Sequence, residues 1–160
     1  MKLLRIYADT SVIGGCLDPE FWGPSRRFIE AVKAGHCRLL VSELVLAELD
    51  RAPQGVQDVL RGVPPLHVET VPLSREILDL RDAYPSADIL VERWANDATH
   101  VAAASIARAD AIVSWNFKHI VRLDKMKAYN QVNLLNGYGM LTIITPREAL
   151  VEDGDAEEAV

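Results

Sequence analysis

Five short apolar runs punctuate the chain: LLRIYA (3–8), CRLLVS (37–42), HVETV (67–71), DAIVSW (110–115) and MLTIIT (140–145). Each is rich in β-branched or aromatic residues and bounded by turn-forming ones, the signature of a buried strand. Stretches of helical character lie between them. Strands that alternate with helices build a parallel sheet covered on both faces. The chain is therefore expected to fold as an α/β protein in three layers, with a central parallel sheet of about five strands.

The intervening segments carry their own boundaries. Residues 11–35 read as two helical pieces, divided at Asp18-Pro19 and Gly23-Pro24, the second starting at Pro24 or Ser25 and closing at Gly35. Residues 43–52 place Leu44, Val45, Leu49 and Ala52 at helical spacing and stop before Pro53. A short helix over 54–61 ends at Gly62 and Pro64-Pro65. Residues 73–83 and 86–93 look helical around a break at Pro85. Asn96 is the expected cap of an alanine-rich helix over 97–109. Residues 116–139 read as mostly helical, ending at Gly137, and Pro146 opens a last turn.

With 160 residues, 49% hydrophobic and 25% charged, the chain has the material for one globular domain. That domain is expected over 1–151, followed by an acidic, disordered tail at 152–160. The tail holds five acids and no cation, so the net charge of −6 falls to −1 without it. A near-neutral body does not exclude a polyanionic partner. No apolar run approaches the roughly 20 residues of a membrane span, and the N-terminus is too short a run for a secretory signal. Cys16 and Cys37 lack the number or spacing for a disulfide framework or a zinc site. They read as buried thiols of a cytoplasmic protein.

In an open parallel sheet, ligands bind at the carboxyl ends of the strands. Asp9 follows the first strand. Ser42 and Glu43 follow the second, with Glu48 on the next helix. Asn116 follows the fourth, and Asp97 starts a helix whose end can reach the same edge. This set is rich in carboxylates and holds no nucleophile beside a base. Converging carboxylates either take raised pKa values or collect a cation. Hard oxygen donors suit Mg²⁺ or Mn²⁺, ions that activate water for attack on a phosphodiester.

Plainer roles exist for each residue. Asp9 can cap a helix, and Asp97 can serve a helix dipole. Glu43 and Glu48 lie about 140° apart around a helix, so one faces solvent. Glu48 borders the buried stripe and is the better ligand. His100, on the face of Asp97, reads as a packed ring or a supporting group rather than a ligand.

Taken together, the strand ending in Asp-Thr-Ser (9–11), SELVLAEL (42–49), NDATHVAAA (96–104) and IVSWNFKHIV (112–121) resemble the PIN domain. That metal-dependent ribonuclease fold occurs in VapC-like toxins of bacterial toxin–antitoxin pairs. The resemblance covers about residues 3–145. It implies one or two Mg²⁺ or Mn²⁺ ions held by Asp9, Glu48 and Asp97, with Ser114 as the small hydroxyl residue near the metal and Ser11 as the serine after the first acid. The family places a fourth acid where this chain has Asn116, a neutral residue that weakens a second metal site most. Endoribonuclease activity, a cognate antitoxin and a homodimer are the further implications.

RNA must be attracted despite these acids. Lys118, Arg122, Lys125 and Lys127 against Asp124 give residues 118–127 a local charge of +3. Ser11, Lys118, His119 and Arg122 are the expected RNA contacts. Trp115 and Phe117 flank Asn116, and one of them can stack on a base while the other packs in the core. Two further classes compete. Asn116 favours a catalytically weak or inactive PIN-like module that binds RNA or a protein partner. An aspartyl-nucleophile phosphotransferase using Asp9 would want a second acid at position 11, where the chain has Ser11.

Overall fold

The computed structural model describes residues 2–85 and 91–149, with the side chains of 91–93 left aside. The expected tail at 152–160, and residues 86–90 of the expected helix 86–93, lie outside the described residues.

Five strands form one sheet: β1 (Arg5–Ala8), β2 (Arg38–Ser42), β3 (Val68–Val71), β4 (Ala111–Val113) and β5 (Thr142–Ile144). Their order is β3-β2-β1-β4-β5, and every pairing is parallel. Consecutive strand residues are buried: Ile6, Tyr7 and Ala8 in β1, and Leu39, Leu40, Val41 and Ser42 in β2. Because successive side chains point to opposite faces, both faces of the sheet are covered. This is the α/β, PIN-like architecture expected from the sequence.

Eight α-helices flank the described sheet: α1 (Thr10–Gly15), α2 (Trp22–Lys33), α3 (Glu43–Asp50), α4 (Gln54–Arg61), α5 (Arg75–Ala83), α6 (Val91–Ile106), α7 (Leu123–Leu135) and α8 (Pro146–Ala149). Helix α6 fully buries Ala98, Val101, Ala102, Ala103 and Ala104 between the sheet and its neighbouring helices. Small side chains let its backbone approach β2 and β4 closely. Helices α2 and α7 end near Gly35 and Gly137, whose φ angles of 79° and 84° are left-handed.

Three boundaries differ from expectation. Helix α2 starts two residues before Pro24, because a proline in the first turn lacks only an N–H the helix does not need. Helix α6 is described over Val91–Ile106, so Asn96 and Asp97 both sit inside it rather than at its N-terminus. Residues 116–122 do not join α7. They form a tight turn in which the amides of Ile120 and Val121 both donate to the carbonyl of Asn116.

The chain reverses strand order at β1, with β2 on one side and β4 on the other. Such a switch point leaves a crevice at the carboxyl edge. Two elements meet over it at Gly15, the last residue of α1. A Cβ there would lie 2.6 Å from Ser25 Oγ and 2.9 Å from Trp115 Nε1, atoms that hydrogen-bond each other at 2.8 Å. At Gly14 a Cβ would meet nothing within 4 Å. Gly15→Ala is therefore expected to destabilise the protein by about 1–3 kcal/mol in urea unfolding, while Gly14→Ala stays within about 0.5 kcal/mol of wild type.

Candidate active site

Asp9 ends the central strand and is only 4% exposed. It stands at the N-cap position of α1, yet its side chain makes no capping hydrogen bond. Instead Ser11 Oγ donates to Asp9 Oδ1 at 2.5 Å and Ser114 Oγ donates to Asp9 Oδ2 at 2.6 Å. Both hydroxyls also accept from backbone: Ser11 from the Trp115 amide at 2.9 Å, and Ser114 from the Asn116 amide at 2.9 Å. The sequence pairing of Asp9 with Ser11 and Ser114 is thus a physical one, linking the ends of β1 and β4.

Burial pushes the Asp9 carboxyl above its ordinary pKa, and the charge of His100 and the two serine hydrogen bonds only partly oppose it. Asp97 is shifted the same way. Its desolvation is opposed by a hydrogen bond from Asn116 and by His119 and His100, while the charge of Asp9 pushes it further up. Asp97 Oδ2 is buried and has no hydrogen-bond partner among the described residues. These two acids are the desolvated, mutually repelling pair at this edge.

Glu48 behaves differently. Its Oε1 accepts from Thr10 Oγ1 at 2.7 Å and shares a hydrogen bond with His100 Nε2 at 2.8 Å. Burial raises its pKa, but the hydrogen bond and charge of His100, the Thr10 hydroxyl and Arg51 outweigh that and bring it below the usual value. Glu43 points elsewhere and accepts from the Leu73 amide at 2.6 Å, so the structure separates the two glutamates of α3.

Sequence reasoning missed what holds His100. Its Nδ1 lies 2.7 Å from Tyr7 Oη, which lies 2.8 Å from Ser42 Oγ. Ser42 in turn caps α3 by accepting from the Val45 amide. Tyr7 was findable in principle, since it precedes Asp9 by two residues and strand side chains repeat with that period.

Asn116 Oδ1 accepts from the amides of Lys118 at 3.2 Å and His119 at 2.9 Å, and the side chain helps hold down the Asp97 pKa. Of the expected RNA contacts, Ser11, Lys118 and His119 line a cleft beside the acids. Arg122 is not among its lining residues, and its guanidinium pairs with Asp124 at 2.8 Å. Trp115 is buried and Phe117 is exposed.

Donor chemistry suits a hard divalent cation: carboxylate oxygens, with one buried oxygen lacking any described partner. Among the described residues, no three His, Cys, Asp or Glu side chains converge to metal-binding distance. Cys16 and Cys37 are buried, as expected. Among the described residues no helix is long and apolar enough to cross a membrane.

No family model matches the chain. No curated protein matches its sequence. Among solved structures, it is similar to a chain in the crystal structure of VapBC2 from Rickettsia felis bound to a DNA fragment from their promoter. The TM-score is 0.50 at 15% identity, over 72% of this chain and 90% of that chain. What the two share is the fold.

The raised pKa values of Asp9 and Asp97 carry a sign for stability. A carboxyl whose folded pKa is raised favours folding while it is protonated, and that contribution is lost as pH rises through its folded pKa. At pH 7 both acids therefore cost stability. Asp9→Asn and Asp97→Asn are each expected to raise Tm at pH 7. Each kcal/mol recovered shifts Tm by roughly 2–4 °C in a chain of this size. The gain should vanish in scans run below the ordinary carboxylate range, where the wild-type acids are already neutral.

Proposed function

We propose that this protein is a metal-dependent endoribonuclease of the PIN type, acting as the toxin of a toxin–antitoxin pair. The observation that carries the reading is the pair Asp9 and Asp97, two desolvated carboxylates at the switch point of a parallel sheet, one of which keeps a buried oxygen without a partner among the described residues. Proteins keep such costly groups where a ligand repays them. The fold likeness to a chain of VapBC2 supports an antitoxin as partner, and the resemblance adds a homodimer.

Asp9 and Asp97 would hold the ion, with Glu48 acting on it through water. A bound Mg²⁺ or Mn²⁺ supplies an acidified water and offsets charge on the phosphate under attack. Ser11 and Ser114 keep the Asp9 carboxylate in one orientation. His100 and Thr10 do the same for Glu48, anchored through Tyr7 and Ser42. Lys118 gives the phosphate backbone a positive group at the rim.

A second reading has its own observation. Asn116 fills the usual fourth-acid position with a neutral group whose oxygen is already taken by two backbone amides. A module of this kind would bind RNA or a protein without cutting.

Cleavage of a cellular RNA pool separates the two. The nuclease reading expects cutting that requires Mn²⁺ or Mg²⁺, stops with EDTA and is lost in Asp9→Asn and Asp97→Asn. It also expects Asn116→Asp to lower the Mn²⁺ requirement by about tenfold, because ligand charge sets divalent affinity. Silence from wild type with cutting by Asn116→Asp would favour the second reading. Silence from all of them would remove nuclease activity on these substrates.

A further inference from the structure

The turn after β4 presents an exposed aromatic ring at the mouth of the acidic edge. Phe117 is 52% exposed, and it lines a cleft of about 620 Å³ together with Ser11, Gly14, Asp18, Phe21, Asn116 and Lys118. That volume falls within the roughly 300–1,000 Å³ of small-ligand sites. Ser11 and Asn116 are the residues that hydrogen-bond Asp9 and Asp97, so the cleft and the acids share a wall.

Phe117 is held in place from behind. Trp115 lies 6.2 Å from it, centroid to centroid, and stacks on Phe21 at 4.4 Å and 19°. The Trp115 indole is fixed by Ser25 Oγ. The Phe117 amide donates to the Trp115 carbonyl, and Asn116 Oδ1 braces the next two amides. A ring ordered in this way loses little freedom when a flat partner settles on it. At Gly14 the cleft has open space where a side chain would otherwise stand, and Lys118 and Asp18 bring one charge of each sign to its lining.

We propose that this cleft binds one unpaired nucleobase of a single-stranded RNA, stacked on Phe117, with Lys118 meeting the adjoining phosphate. The proposal rests on the reading of the acidic edge as a site that acts on RNA, and deepens it by assigning Phe117 and Lys118 as the subsite that receives a base and its phosphate beside the acids. Exposed aromatic rings in a cleft that also carries a cation are a usual platform for single strands.

The test uses an octaribonucleotide carrying one 2-aminopurine, titrated with the full chain in EDTA so that no metal-dependent cutting intervenes. Wild type should quench the 2-aminopurine and bind the single strand more tightly than its duplex. Phe117→Ala should lose the quench and weaken binding about tenfold, and Phe117→Trp should restore both. An octamer with an abasic site in place of the stacked base should bind wild type and Phe117→Ala alike. Unchanged affinity and quench in Phe117→Ala would overturn the proposal, as would a loss that Phe117→Trp does not repair. Absence of RNA binding by wild type would also overturn it and turn attention to a protein side chain as the occupant. Cleavage assayed separately with Mn²⁺ keeps the two readings apart. Phe117-dependent stacking without cutting removes the nuclease reading alone, and cutting that ignores Phe117 removes this proposal alone.

Discussion

A carboxylate that ends the central strand of a buried parallel sheet has no water to turn to. Asp9 is in that position, and the structure around it is organised by the need to satisfy it. Two serines donate to its two oxygens, and each serine then accepts a backbone amide from the turn after β4. The result is a closed set of bonds across the β1–β4 crevice, fixing where Trp115, Asn116 and Phe117 emerge. Even so, desolvation outweighs those bonds, and the carboxyl remains raised above its ordinary pKa. The edge is therefore rigid in geometry and costly in electrostatics, a combination found where a site is prepared for a ligand.

Glu48 and Asp97 are acids of similar burial with opposite fates. Glu48 is anchored through His100 to Tyr7 and Ser42, a line of contacts that crosses from α3 through α6 to β1 and back to the cap of α3. Its charge is stabilised by that anchorage. Asp97 receives one hydrogen bond from Asn116 and feels the charge of Asp9. Demand for positive charge at this edge is thus concentrated on Asp9 and Asp97, while Glu48 is already provided for by protein groups.

The layers, the parallel pairing and the acids at the sheet edge were legible because they follow from local pattern, whereas the strand order was not read from the sequence. Apolar runs mark strands, alternation marks parallel pairing, and the residues just past Ala8 and Val113 must sit at the carboxyl edge. The start of α6 was not legible, because Asn96 is a good cap by type and only tertiary packing of Trp94 and its neighbours carries the helix through it. Residues 116–122 misled for a related reason. Their composition suits a helix, yet the Asn116 side chain offers its oxygen to two amides and holds them in a turn. The Tyr7–His100–Glu48 chain joins residues far apart in sequence, and no local pattern announces such a contact. The choice between Trp115 and Phe117 was also invisible, since it depends on Ser25 and Phe21 capturing one ring and leaving the other in solvent.

Asn116 acquires a meaning from these neighbours that the sequence alone did not give it. An aspartate there could brace the same turn, because its carboxylate accepts from the same two amides. It would also bring a third desolvated charge toward Asp9 and Asp97, which already repel. Asparagine keeps the bracing oxygen without adding that charge, and its side chain is among the groups that oppose the rise of the Asp97 pKa. The exchange lets the fold stand on its own hydrogen bonds at the cost of ligand charge. On the proposed reading, what remains for a metal is the pair of carboxylates and the one Asp97 oxygen that no described protein group reaches. A single, weakly held ion is the arrangement that this balance of charges favours over two.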